Sequence, residues 1–193
     1  LTKNEIRELM IKIPKNVVLV LDCAYAEYVE QKNYDLDFSL VKEYDNIIIT
    51  RTFSKAYGLA AIRLGWCYSS PKIASILNRV KIPFNTNAYS QKIAINALND
   101  QKYLNIVIKK NKEIKKWFEN ELIKLDLKVY PSFANFSFIE STNEIAEKIS
   151  IKLEKKGIII RQLHSYNLPH CLRITIGKME EMQKIIEILK KIL

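Results

Sequence analysis

Lys55 stands in the run Arg51 to Trp66, RTFSKAYGLAAIRLGW, with Thr52 and Ser54 just before it, Gly58 just after and Arg63 eight positions on. The run follows IIIT, Ile47 to Thr50, which reads as a buried strand. A lysine at the end of a hydrophobic strand is partly desolvated, and desolvation favours the neutral amine that attacks carbonyl carbon. Arginine offers forked charge-assisted donors and the two hydroxyls add short neutral ones, so Thr52, Ser54 and Arg63 have the chemistry of a phosphate cradle. An amine beside a phosphate cradle suits an aldehyde that carries a phosphate, a description that pyridoxal phosphate meets. Upstream, Asp22 follows VVLVL (Val17 to Leu21) at once. That puts a carboxylate at a C-terminal strand edge, where open α/β sheets bind ligands and where it can pair with a pyridinium nitrogen.

Plainer readings exist for single residues. A lone lysine is by default a surface group, and Asp after a strand commonly caps a loop or helix. Cys23 reads as a small packed side chain. His164, His170 and Cys171 have neither a fourth ligand nor a recognised spacing, so no metal is assigned.

These groups need strand ends to hold them. VVLVL and IIIT are short β-branched runs of the kind that form parallel strands buried on both faces. LGWCY, Leu64 to Tyr68, is a third candidate strand, after which Ser70 is placed to cap a helix with Pro71 at its first position. Pro83 interrupts that helix, and a second starts after Asn87 and runs to Leu98. Leu1 to Lys12 has the mixed pattern of an amphipathic helix. From Asp100 the apolar positions Leu104, Val107, Ile108, Ile114, Trp117, Phe118 and Leu125 recur at helical spacing. Strands are expected over Asn135 to Glu140, Ile158 to Arg161 and Cys171 to Ile176, a helix over Ile145 to Leu153 stopped by Gly157, and a terminal helix after Gly177. Alternating strand and helix predicts an α/β layer with a parallel sheet over residues 1–98, and a smaller α+β domain over residues 99–193.

Composition narrows the classes. With 48% hydrophobic and 27% charged residues the chain reads as globular, and no apolar run nears the ~20 residues of a membrane span. The net charge of +10 comes from lysines spread over nearly every helical segment, with only short doublets such as Lys109-Lys110, so it predicts a solvated surface rather than a nucleic-acid face. Cys23, Cys67 and Cys171 form no C-x-x-C pair, which fits a reducing cytoplasm. The chain opens on Leu1, as a processed product or part of a longer one would.

The stretches TFSKAYGLAAIRLGW, D-x-A-Y (Asp22 to Tyr25), PFNTN (Pro83 to Asn87), PSFANF (Pro131 to Phe136), GIIIR (Gly157 to Arg161) and CLRITIG (Cys171 to Gly177) occur in an order that resembles the histidinol-phosphate aminotransferases, within the fold-type-I pyridoxal-phosphate enzymes. The resemblance covers the whole chain. It implies part of a three-layer α/β/α large domain followed by a small α+β domain, with pyridoxal 5'-phosphate as cofactor. It further implies that Lys55 joins the cofactor as an imine, that Asp22 keeps the ring nitrogen protonated and that Tyr25 bonds the phenolic oxygen. Thr52, Ser54 and Arg63 would hold the phosphate, Arg173 would receive a substrate carboxylate, and Arg161 would help bind the anionic end of a phosphorylated substrate. The plainer readings are that Tyr25 packs as an amphipathic side chain and that both arginines pair with surface carboxylates. Cys23 stands where the family usually has Glu, and Ala61 where it has Gly.

The implied reaction moves an amino group between histidinol phosphate, or another amino acid, and 2-oxoglutarate or glutamate, in a complete protein that is a homodimer. A threonine-phosphate decarboxylase would use nearly the same lysine, aspartate and arginines, and an inactive half-enzyme is the alternative from another class. The chain begins just after the point where the family's Asn-Pro-x-x-Gly segment would end. The phosphate loop and the aromatic residue stacked on the cofactor are therefore expected upstream, and these 193 residues alone are expected to hold it weakly.

Overall fold

The computed structural model describes residues 1–29 and 38–193, in two compact units, Leu1–Leu104 and Asn105–Leu193. In the first unit α1 (Lys3–Lys12) starts at a reciprocal cap: the Glu5 amide donates to Thr2 Oγ1 at 3.3 Å and the Thr2 amide to Glu5 Oε2 at 2.6 Å. Ile6 and Met10, four apart on one helix face, are buried. They meet Leu40 and Val41 of α2 (Ser39–Glu43), Cys23, and Ile47 and Ile49 of β2 (Ile47–Thr52), which together make the core of this unit. β1 (Leu19–Asp22) pairs with β2 in parallel, in a register that sets Leu19 against Ile47 and Asp22 against Thr50.

Two expectations need correction here. The sheet is mixed: β3 (Gly65–Ser69) runs antiparallel to β2, with Arg51 opposite Trp66 and Thr52 opposite Gly65. A parallel return requires a crossover long enough to span the sheet, usually a helix, and residues 53–64 form only a turn and a short 3-10 segment, Ala60–Ile62. Nor is β1 buried on both faces. Leu19 and Leu21 point to the core, whereas Val20 is 54% exposed, and Val17 and Val18 before it are exposed as well.

α3 (Pro71–Val80) begins with Pro at its first turn, as read from the sequence, but Ser70 does not cap it through its side chain. The buried Ser70 hydroxyl donates instead to the Asp45 carbonyl at 2.9 Å, tying the end of β3 to the turn before β2. α4 (Ala88–Asn99) is capped by Asn87, whose Oδ1 accepts from the Ser90 amide at 2.8 Å.

α5 (Gln101–Ile123) runs on into the second unit. There β4 (Lys128–Tyr130), β5 (Phe136–Glu140), β6 (Arg161–Leu163) and β7 (Leu168–Thr175) form an antiparallel sheet in the order β4-β5-β7-β6. Phe118 and Leu122 of α5 pack with Ile139, Leu172 and Ile174 from one sheet face, with Ile149 and Leu153 of α6 (Asn143–Glu154), and with Met182, Ile186 and Leu189 of α7 (Met179–Leu189). β4 has no counterpart among the expected strands, and the strand expected from Ile158 begins only at Arg161. The cause is the end of α6: Gly157 takes φ +75°, the Ile158 amide donates back to the Leu153 carbonyl at 3.0 Å, and the chain leaves the cap before it can join a ladder. Ile158 and Ile160 still pack on the core while Ile159 is exposed, so the strand-like alternation reports burial without pairing. No helix among the described residues is long and apolar enough to cross a membrane.

β1 has a partner along only one edge among the described residues, and its outer face exposes Val20, with Val18 exposed just before the strand. Such an edge templates association. Sedimentation of the purified chain is expected to show concentration-dependent self-association, reduced in the double variant Val18→Lys/Val20→Lys with unchanged far-UV circular dichroism. A wild-type chain that stays monomeric at every concentration would contradict this.

Candidate active site

The parallel register of β1 and β2 brings two strand ends side by side. Asp22 and Thr50 are register partners, the Cys23 amide donates to the Thr50 carbonyl at 3.1 Å, and the Thr50 hydroxyl lies 3.4 Å from Asp22 Oδ1. The same carboxylate oxygen accepts from the Ala24 amide at 3.2 Å, the local turn that Asp favours. Asp22 remains exposed, so its second oxygen can meet a ligand. The chain then turns through Tyr25 into the 3-10 segment Ala26–Tyr28.

Beyond β2 the chain bends at once. Thr52 Oγ1 accepts from the Ser54 amide at 3.1 Å, the Gly58 amide donates to the Lys55 carbonyl at 2.9 Å and the Leu59 amide to the Phe53 carbonyl at 3.0 Å. Gly58 completes this turn at φ +70°, where a Cβ would add strain. Phe53 and Ala56 are buried beneath the turn, and Lys55 emerges half-buried with its Nζ 5.1 Å from the centroid of the Tyr25 ring. That distance is within cation–π range. The structure thus joins Asp22 to Thr50, Thr52 to Ser54 and Tyr25 to Lys55.

Arg63 is set apart from these contacts. It is exposed, adopts φ 52°, and donates from Nη1 to the Ala60 carbonyl at 2.9 Å. Its loop is fastened from α4, where Ser90 Oγ donates to the Ile62 carbonyl at 2.9 Å. The segment Pro83 to Asn87 therefore leads into the helix start that anchors the backbone next to Arg63.

In the second unit, Arg161 on β6 and Arg173 on β7 are register partners, and Arg173 also faces Phe138 on β5. The Arg173 guanidinium carbon lies 5.1 Å from the Phe136 ring centroid. Like charges directly opposite on a sheet repel. Arg173 Nε is buried and has no hydrogen-bond partner among the described residues. Two adjacent guanidiniums, one with an unsatisfied buried donor, have the chemistry of an anion site. The turn that feeds Phe136 into β5 is held by Lys115, whose ammonium donates to the carbonyls of Ser132 and Ala134 and is pushed toward the neutral form by burial.

Sequence reasoning missed the ion pair between Glu27 and Arg51, whose Nη1 to Oε1 distance is 3.1 Å. Its partners lie 24 positions apart, and only the strand pairing shows that they meet. Around it the Tyr28 hydroxyl is pushed up to about 12, first by burial and then by the Glu27 charge, and Tyr57 is raised for the same two reasons. The structure also gathers ligand atoms of Glu140, His170 and Cys171 within 4.8 Å of one another. The Glu140 carboxylate there already accepts from the Tyr130 hydroxyl and from Lys128 at 3.0 Å, bonds that lower its pKa from the usual carboxylate value. Burial pushes the Cys171 thiol up, away from the thiolate that a metal requires.

Fold and site together define an α/β protein with a lysine at the mouth of a strand pair and an arginine pair on a second, antiparallel sheet. The profile of the family described as Aminotransferase class I and II matches residues 1–189, and the chain belongs to that family. It is 41% identical over 193 residues to histidinol-phosphate aminotransferase of Zymomonas mobilis, covering 98% of this chain and 52% of that one, and 40% identical to histidinol-phosphate aminotransferase 2 of Haemophilus influenzae, covering 100% and 52%. The chain thus spans about half the length of the curated relatives it matches. Among solved structures it resembles histidinol-phosphate aminotransferase from Sinorhizobium meliloti in complex with pyridoxal-5'-phosphate, with a TM-score of 0.90 and 28% identity over 100% of this chain and 54% of that one. L-threonine-O-3-phosphate decarboxylase from Porphyromonas gingivalis shares the fold, with a TM-score of 0.84 and 22% identity over 99% of this chain and 59% of that one.

Gly65 is a check on this geometry. A Cβ there would lie 2.8 Å from the Arg51 carbonyl oxygen, a backbone atom that cannot move without opening the β2–β3 ladder. Gly65→Ala is expected to cost about 1–3 kcal/mol and to raise hydrogen exchange at the Arg51 to Phe53 amides, with the second unit unaffected. Exchange equal to wild type would show that the ladder accommodates the methyl group.

Proposed function

We propose that the chain carries the lysine side of a pyridoxal-phosphate-dependent aminotransferase site, which exchanges an amino group between histidinol phosphate and 2-oxoglutarate or glutamate in a cytoplasmic homodimer. The observation that carries the reading is the Tyr25 ring beside Lys55 Nζ, with the free oxygen of Asp22 at the neighbouring strand end. The names of the matched relatives point to the same reaction, whereas the decarboxylase shares only the fold.

The donor set suits the cofactor. Lys55 offers an amine, Asp22 an exposed carboxylate with one oxygen fixed by Ala24 and Thr50, and Thr52 and Ser54 offer half-exposed hydroxyls in one tight turn. Pyridoxal phosphate, when bound, supplies an aldehyde that condenses with amines and a ring that accepts an electron pair. Asp22 holds a proton on the ring nitrogen, because a fixed carboxylate favours the charged pyridinium. Lys55 Nζ would accept and return the proton on the substrate carbon. Tyr25 would donate a hydrogen bond to the phenolic oxygen, and Thr52, Ser54 and Arg63 would bind the phosphate. Arg173 takes the substrate carboxylate as a bidentate fork and Arg161 the phosphate end, which would relieve the repulsion between them.

Borohydride reduction at saturating pyridoxal phosphate, followed by peptide mapping, is expected to mark Lys55. Modification of another lysine with Lys55 left free would refute the assignment. Arg63→Ala is expected to weaken cofactor binding about tenfold, the loss of one charge-assisted contact. With the complete protein, Arg173→Lys is expected to impair turnover of glutamate although the charge is kept, and unchanged kinetics would remove Arg173 from the substrate site.

A further inference from the structure

The Glu27–Arg51 pair lies on the opposite side of β2 from Thr50 and Thr52. Side chains alternate along a strand. Ile47 and Ile49 face the core together with Cys23, and Arg51 continues that face, whereas Thr50 carries its hydroxyl toward Asp22. Glu27 sits on the 3-10 segment that follows Tyr25 directly, and Arg51 immediately precedes Thr52 in the turn that carries Lys55. The side chains of Arg51 and Glu27 are only 18% and 12% exposed, so the pair is shielded from solvent more than an ordinary surface bridge. It joins the loop after β1 to the end of β2 through side chains on this face. The Lys55–Tyr25 contact spans the same two segments.

From this geometry we infer that Glu27 and Arg51 are positioning residues for the cofactor site: their ion pair clamps the two loops from beneath and so sets the Tyr25 ring against Lys55. The inference rests on the proposed cofactor role of Lys55, yet the clamp is measurable without cofactor. With the pair intact, the segments that carry Tyr25 and Lys55 are tied to one another. With either charge removed, the segment Ala26–Tyr28 keeps its own backbone bonds, Tyr28 amide to Tyr25 carbonyl and Val29 amide to Ala26 carbonyl, but loses this side-chain tie to β2. Local structure survives while the spacing between the loops is released.

The full chain, labelled with carbon-13 at the lysine ε position, provides the test. An aromatic ring at this distance displaces the Lys55 ε-methylene resonance, which is assigned by its loss in Lys55→Arg and by its return to the ordinary position in Tyr25→Leu. Glu27→Gln and Arg51→Gln are each expected to abolish the displacement, the double variant to do no more than either alone, and Glu27→Asp, which keeps the charge, to retain part of it. A displacement unchanged in Glu27→Gln overturns the clamp. If Glu27→Gln loses its far-UV circular dichroism, Glu27→Asp decides, and a complete loss of displacement in that folded variant overturns the clamp equally. In parallel, borohydride capture of pyridoxal phosphate at Lys55 is expected to be about tenfold slower in Glu27→Gln than in wild type, as for loss of a charge-assisted contact. Capture in wild type at a rate that Glu27→Gln leaves unchanged overturns the positioning role while the cofactor reading stands. Capture at Lys55 in no protein overturns the cofactor reading, and the resonance then decides the clamp by itself.

Discussion

Parallel pairing of β1 with β2 is the constraint from which the first unit follows. Its register sets Asp22 beside Thr50, and everything that turns off those two residues inherits their separation. Had the pairing slipped by one residue, every side chain of β1 would have changed face, burying Val20 and Asp22 and turning Leu19 and Leu21 outward. Burial of Leu21, Cys23, Ile47 and Ile49 against Ile6, Met10 and Leu40 excludes that slip. The chemistry at the strand ends is therefore fixed by an apolar core that contains none of the reacting groups.

The second unit solves a different problem with the other face of a sheet. Ile139, Leu172 and Ile174 bind the sheet to its helices, which leaves Phe136, Phe138, Arg161 and Arg173 on the side away from that core. Two arginines opposite one another are tolerated there because the aromatic neighbour shields one of them and because the core face supplies the stability.

Much of this was legible in the sequence. The helices were read from local signals, as in the start after Asn87 and in the stripe that includes Phe118, although the cap expected at Ser70 is not made. Thr52, Ser54, Lys55 and Gly58 could be read as one group because they build one turn from adjacent positions. What could not be read depends on pairing across the chain. The antiparallel direction of β3, the diversion of the Ser70 hydroxyl to Asp45 and the Glu27–Arg51 bridge all join residues whose meeting no spacing encodes. β4 was missed for a related reason: three residues, Lys128 to Tyr130, carry too short a pattern to show a period.

The exposed valines of β1 sit on a chain that carries a net charge of +10, and the two features oppose each other. Chains of like charge repel over roughly the Debye length, about 30 Å at 0.01 M ionic strength but about 8 Å at 0.15 M. In dilute buffer the lysines hold neighbouring molecules farther apart than the reach of a strand edge. Added salt collapses that barrier and leaves the apolar contact intact, so the colloidal behaviour of the chain is governed by ionic strength, with dilution and desalting dispersing what physiological salt brings together.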